Sequence, residues 1–148
     1  MAISVISAIA VPTPENANDT TAKVQPGQVI ADKDGQLYKY VLNGEASTAL
    51  AAGDLVYFTA AGGTTVKKSG AGQANLPFGG VVLSTAITAA KYGWIKIAGV
   101  ATSSGLTAGA AVKVTTGGQT FADATVGTDH VVGTATTTTQ VQFIGSSI

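Results

Sequence analysis

The chain contains no cysteine and no arginine, and it carries one histidine, His130. Without cysteine there can be no disulfide, no zinc–thiolate centre and no thiol nucleophile, and the redox compartment stays open. All eight basic residues are lysine, they are matched by eight acidic residues, and charged side chains make up 11% of the chain. Nucleic-acid binding is disfavoured by that balance. Phosphate and base-edge recognition draw on the planar fork of arginine, and a polyanion needs a basic excess or stripe that Lys67 and Lys68 alone do not make.

Long Glu/Lys/Leu/Arg windows with helical periodicity are also missing, while Gly, Ala, Thr and Val dominate. The class expected is all-β. At 148 residues one domain is expected, large enough to bury roughly 70% of its unfolded surface without a disulfide or metal. The apolar opening, Met1 to Val11, has no preceding Lys or Arg and runs into Pro12-Thr13-Pro14. It is a poor signal peptide and too short to span a bilayer, so no membrane partner is expected.

The chain divides near Gln36. Residues 1–36 lack a repeating pattern and are expected to form an extended N-terminal arm, whose tip alternates in part (Ala2-Ile3-Ser4-Val5-Ile6-Ser7-Ala8-Ile9) before a proline-broken polar stretch. Residues 37–148 read as short strands between glycine-rich turns, with candidates at 37–42, 55–58, 64–67, 78–83, 94–98, 111–114, 120–123, 131–135 and 140–144. In Trp94-Ile95-Lys96-Ile97 and Val141-Gln142-Phe143-Ile144 apolar and polar positions switch nearly every residue, as in a strand with one face in a core. Gly62-Gly63 and Gly117-Gly118 supply turns.

An internal duplication organises these strands. Leu50-Ala51-Ala52-Gly53-Asp54-Leu55-Val56-Tyr57-Phe58 aligns with Leu106-Thr107-Ala108-Gly109-Ala110-Ala111-Val112-Lys113-Val114, a spacing of 106 − 50 = 56 residues. The closing segments Trp94 to Gly99 and Gln140 to Gly145 correspond in the same order. Two copies are too few for a solenoid, so they are expected to be halves of one small closed or nearly closed barrel.

Four groups invite a chemical reading, and each has a plainer one. Asp129-His130 could supply two members of a hydrolase triad, but no Gly-x-Ser-x-Gly elbow exists and triad members meet in space, so a turn is favoured. Asp32-Lys33-Asp34-Gly35 begins like a calcium loop yet lacks the later ligands and the bidentate Glu, so an Asp-Gly turn is favoured. Gly62 to Ser69 approaches a phosphate loop, but Lys67 stands where the second Gly belongs and no helix can follow at Gly70-Ala71-Gly72. The aromatics Tyr38, Tyr40, Tyr57, Phe58, Phe78, Tyr92, Trp94, Phe121 and Phe143 could form a sugar-stacking platform, and on strands they more often fill a core. The reading is therefore a non-enzyme without catalytic residues, metal or cofactor.

The series Ala52-Gly53-Asp54-Leu55-Val56-Tyr57-Phe58, Pro77-Phe78-Gly79-Gly80-Val81-Val82, Trp94 to Ala101, Leu106-Thr107-Ala108-Gly109 and Val131-Val132-Gly133-Thr134-Ala135 resembles a family of small bacteriophage capsid decoration (cement) proteins. The resemblance covers Leu37 to Ile144. It implies a compact β-barrel on the outer surface of a phage head, commonly a homotrimer, bound where major capsid protein subunits meet and located in the host cytoplasm during assembly. The family supplies no catalytic residues. The tip residues Ile3, Val5, Ile6, Ile9 and Val11 are expected to make capsid contacts by adding a strand to a partner's sheet edge, or else to pair with the edge of their own barrel. The alternative is a carbohydrate- or receptor-binding β module on a virion or cell surface, which needs exposed coplanar aromatics.

Overall fold

A computed structural model of the chain describes residue 14 and residues 17–59, 63–68, 77–83, 85–115 and 119–145. Among them are ten strands and no α-helix: β1 (Val29–Ala31), β2 (Leu37–Asn43), β3 (Leu55–Phe58), β4 (Thr65–Lys68), β5 (Phe78–Val82), β6 (Tyr92–Thr102), β7 (Ala111–Val114), β8 (Phe121–Asp123), β9 (Gly133–Thr137) and β10 (Gln140–Ile144). The all-β barrel expected from the sequence is present.

Five strands close on themselves. In the order β2-β4-β3-β5-β6 each pairs with the next, and β6 returns to β2 in an antiparallel register running from Leu42↔Tyr92 to Leu37↔Ala98. The β2–β4 contact is parallel (Leu42↔Thr65, Asn43↔Val66) and seals the wall. Period-two alternation sends Leu37 and Val41 inward, against Leu50, Val56, Phe58, Val66, Val82, Ile87 and Ile95. The opposite face of β2 carries Tyr38 and Tyr40, which pack with Trp94 beneath Ala17, Ala22, Val24 and Ile30. Residues of the N-terminal stretch thus cover the barrel: β1 pairs with β2, and Asp19 exchanges two backbone hydrogen bonds with Tyr92 at 2.8 and 2.9 Å. This second covering explains why β2 is buried on both sides although its sequence alternates.

The duplication is reproduced in pairing as well as sequence. The order β4-β3-β5-β6 of the first copy recurs as β8-β7-β9-β10 in the second, every neighbouring pair being antiparallel. The shared Leu-x-Ala-Gly turn is built alike in both. Gly53 and Gly109 sit at φ 83 and 84, a left-handed conformation that glycine enters without steric cost. Gly53 N–H donates to Val82 O and Val82 N–H to Asp54 O, as Gly109 N–H does to Ala135 O and Ala135 N–H to Ala110 O.

The two copies do not contribute equal halves to the closed wall. Closure is complete within 37–98, and the second copy is joined by β6, whose 11 residues pair first with β2 and then, from Ala98 to Thr102, with β10. One strand therefore ends the first copy and opens the second. A second core forms from Val112, Phe121, Ala135, Val141 and Phe143 together with Leu55, Phe78 and Val81 of the first copy. Phe78 stands edge-on to both Phe121 (5.8 Å) and Phe143 (5.7 Å), a favoured aromatic geometry that ties the copies together. The ladder tightens at β5, where a Cβ on Gly80 would lie 2.1 Å from Lys96 O; no larger residue fits there.

Candidate functional site

The chemical candidates are placed as ordinary structure. Asp129 lies in the β8–β9 connection, where its carboxylate accepts hydrogen bonds from Lys113 Nζ at 2.9 Å and Thr125 N–H at 2.7 Å. Those donors, Thr125 first, hold it below the usual carboxylate range. The carboxylate is engaged away from the exposed His130 that follows it. Asp32 closes the turn before β2: Oδ1 accepts from the N–H groups of Asp34 and Gln36, and Oδ2 from Gln36 Nε2 and Tyr38 Oη. Both oxygens serve the turn, and Gly35 takes φ 77. Lys67 stands on β4 opposite Tyr57, so this part of the phosphate-loop candidate is strand. Its ends, Gly62 and Ser69, lie outside the described residues, as does the Gly117-Gly118 turn. No group of three or more His, Asp or Glu able to hold a metal occurs among the described residues.

The aromatics are core. Of the four Tyr, four Phe and one Trp, all but Tyr92 are buried, and Tyr92 is half-buried with its ring stacked on Tyr40 at 5.9 Å. Tyr40 anchors a buried polar cluster: its hydroxyl donates to Asp19 Oδ2 at 2.7 Å, and Asp19 Oδ1 pairs with Lys23 at 2.7 Å. Burial, reinforced by Asp19, pushes the Tyr40 hydroxyl up to about 12. Lys39, 7% exposed, faces into the barrel with Nζ 4.7 Å from the Phe58 ring centroid, and burial holds it below the ordinary lysine value.

Two surfaces remain. The first is the outer face of β6, β10 and β9, which presents Val100 and Thr102, Gln140, Gln142 and Ile144, and Thr134 and Thr136. None of these is charged, Lys96 on the same side of β6 being the charged neighbour, and the apolar members Ile144 and Val100 are 72% and 37% exposed. The second is a cleft of about 550 Å³ where the copies meet, floored by Leu55, Val81, Ala101 and Phe121 and rimmed by Ser104 and Thr120. Long side chains cap the backbone around it. Gln119 pairs with the main chain of Leu55, accepting from its N–H and donating to its carbonyl, both at 3.2 Å. Gln36 Oε1 accepts from Val100 N–H at 3.4 Å, and Lys96 Nζ donates to Val100 O at 2.9 Å. Burial, opposed by Asp32, holds Lys96 below the ordinary lysine value.

Neither the cleft nor its caps were legible in the sequence, because they arise where two sequence-distant copies meet. The tip residues Ile3, Val5, Ile6, Ile9 and Val11 lie outside the described residues. Comparison with known proteins finds no matching family model, no matching curated protein and no matching solved structure.

Proposed function

We propose that this chain is a capsid decoration protein that binds the outer surface of a phage head and stabilises contacts between major capsid protein subunits without performing chemistry. The observation that carries the reading is the outer face of β6, β10 and β9, where exposed Ile144 and Val100 stand among Thr and Gln with Lys96 as the charged member, its ammonium tied to Val100 O. A surface this poor in charge, with scattered apolar side chains among Thr and Gln, sheds water readily against another protein and offers little to a polyanion. The motif series from Ala52 to Ala135 supports the same reading by its likeness to decoration proteins, whose trimers sit on heads. The N-terminal segment, through Ile3, Val5, Ile6, Ile9 and Val11, joins the attachment by adding a strand to a sheet edge of an adjacent subunit. A ligand specific to the assembled shell stabilises it by mass action, so cementing requires only that the barrel bind the lattice and not the separated subunits.

Cosedimentation of the full chain with purified heads and with empty expanded shells tests the proposal. Saturable binding in a fixed number of copies per shell is the expected outcome, and an absence of binding to every shell would overturn it. A chain truncated before Pro12 is expected to bind the same shells more weakly while unfolding at an unchanged denaturant midpoint.

A further inference from the structure

The two copies differ in how their walls end. Trp94 of β6 corresponds to Gln140 of β10; Tyr40 pairs with Trp94 and Thr102 with Gln140, so Tyr40 corresponds to Thr102. Counting on, Leu42 and Asn43 correspond to Ser104 and Gly105. Val56 and Val112, aligned by the spacing of 56, pair with Lys68 and Asp123, so Thr65 and Val66 correspond to Thr120 and Phe121. In the first copy these partners seal the barrel through the parallel pairs Leu42↔Thr65 and Asn43↔Val66. In the second, β8 ends the sheet and pairs with β7 alone among the described residues. Ser104, Thr120 and Phe121 instead line the cleft. The cleft is thus the unsealed seam of the second copy, at the position where the first copy closes.

We infer that this seam accepts the N-terminal segment Ala2–Ile9 of a second copy of this chain as an added strand. An edge strand with unpaired backbone groups is a template for another chain, and here long side chains stand in for the missing partner. Gln36 and Lys96 occupy Val100, and Gln119 occupies Leu55. Such caps can swing aside for a backbone that offers the same donors and acceptors. The segment suits the seam in pattern and charge. As a strand it places Ile3, Val5, Ser7 and Ile9 on one face, toward a floor of Leu55, Val81, Ala101 and Phe121, and Ala2, Ser4, Ile6 and Ala8 on the other. It has no charged residue before Glu15, and among the described residues of the cleft's lining only Lys96 is charged.

Reach favours a second copy over the same chain. Ala17 lies beside Gly93, its carbonyl oxygen 2.7 Å from where a Cβ on that glycine would sit. From Gly93 to the near end of the seam at Val100 is about 23 Å along β6. The eight steps from Ala17 back to Ile9, broken by two prolines, span about 25 Å at polyproline extension. The chain's own tip would have to run straight and taut, whereas a neighbour's tip carries no such constraint. The inference rests on the seam and not on the capsid reading; it identifies the adjacent subunit as another copy.

The chain lacks cysteine, so pairwise cross-linking reads the contact cleanly. Full-length Val5→Cys protein is mixed with full-length Ser104→Cys protein under mild oxidation, without any shell, and compared with a mixture of Val5→Cys and Thr134→Cys, an exposed site on the outer face. Each variant is first shown to melt as the parent does. The expected result is an intermolecular disulfide with Ser104→Cys that forms about tenfold or more faster than with Thr134→Cys, because a seated tip holds its thiol at high effective concentration. Equal rates, or no disulfide, would overturn the inference. A disulfide confined to the Val5→Cys/Ser104→Cys double variant and absent from the mixture would overturn exchange between copies. Failure here leaves cosedimentation with shells untouched, and the reverse also holds.

Discussion

At the scale of single residues, the stability of the N-terminal covering turns on Tyr40. Its hydroxyl donates to Asp19 and accepts from Lys23 N–H. Tyr40→Phe removes a donor from a carboxylate that is 8% exposed, and a loss of about 1–3 kcal/mol is expected in urea unfolding at neutral pH. The same cluster sets a dependence on alkali. Because the folded pKa of Tyr40 is raised from 10.0 to about 12, its contribution is intact below pH 10 and is lost as pH rises toward 12. Acid acts on the carboxylates. Burial raises Asp19, but hydrogen bonds from Lys23 and Tyr40 outweigh it; Asp32 is lowered likewise by its turn donors, Asp123 by Thr107 and Asp129 by Thr125 and Lys113. Each folded value lies below the unfolded one of 3.8, so their stabilisation is present above that value and lost as pH falls through the folded values. Thermal midpoints should hold steady from pH 8 to about 5 and then fall below about 4.

At the scale of elements, Gln119 is the point where the second copy meets the first. Gln119→Ala removes both of its bonds to Leu55 and is expected to lower stability by about 1–2 kcal/mol in denaturant titration. Gln119→Glu keeps the acceptor and loses the donor, so it should fall between Ala and the parent. Nine of the ten strands were visible in sequence within a few residues, because short apolar runs bounded by glycine are local signals. The exception, β1, has only Val29, Ile30 and Ala31 and is a strand because β2 offers it an edge. The length of β6 was also hidden. Trp94 to Ala98 alternates as a closing strand, and Gly99 then looks like an end, yet at φ 136 it continues the strand beside Gln36. The cleft stayed invisible for a related reason, since a seam is defined by a pairing that one copy makes and the other does not.

At the scale of the molecule, the copies share a strand and a core. Phe78 belongs to β5 of the first copy and packs in the core of the second, so neither copy is expected to unfold alone. A single transition with matching calorimetric and van't Hoff enthalpies is expected. Phe78→Ala, which empties a site 3% exposed, should lower that one transition by about 3–5 kcal/mol rather than split it. Two separate transitions would show the copies to be independent.

The shared strand also bears on how the chain is made. The first barrel cannot close until Ala98 is available to Leu37, and the second core waits further for Phe143. On the ribosome the apolar strands of the first copy therefore emerge before the strand that shuts them in. Synthesis at a pace of about 5–20 residues per second leaves them waiting for seconds. Nascent chains arrested before Ala98 should be digested readily by protease, whereas chains arrested well after it should already protect Val41 and Ile95. For this topology, the order in which the residues leave the tunnel is itself a hazard that the cell must cover.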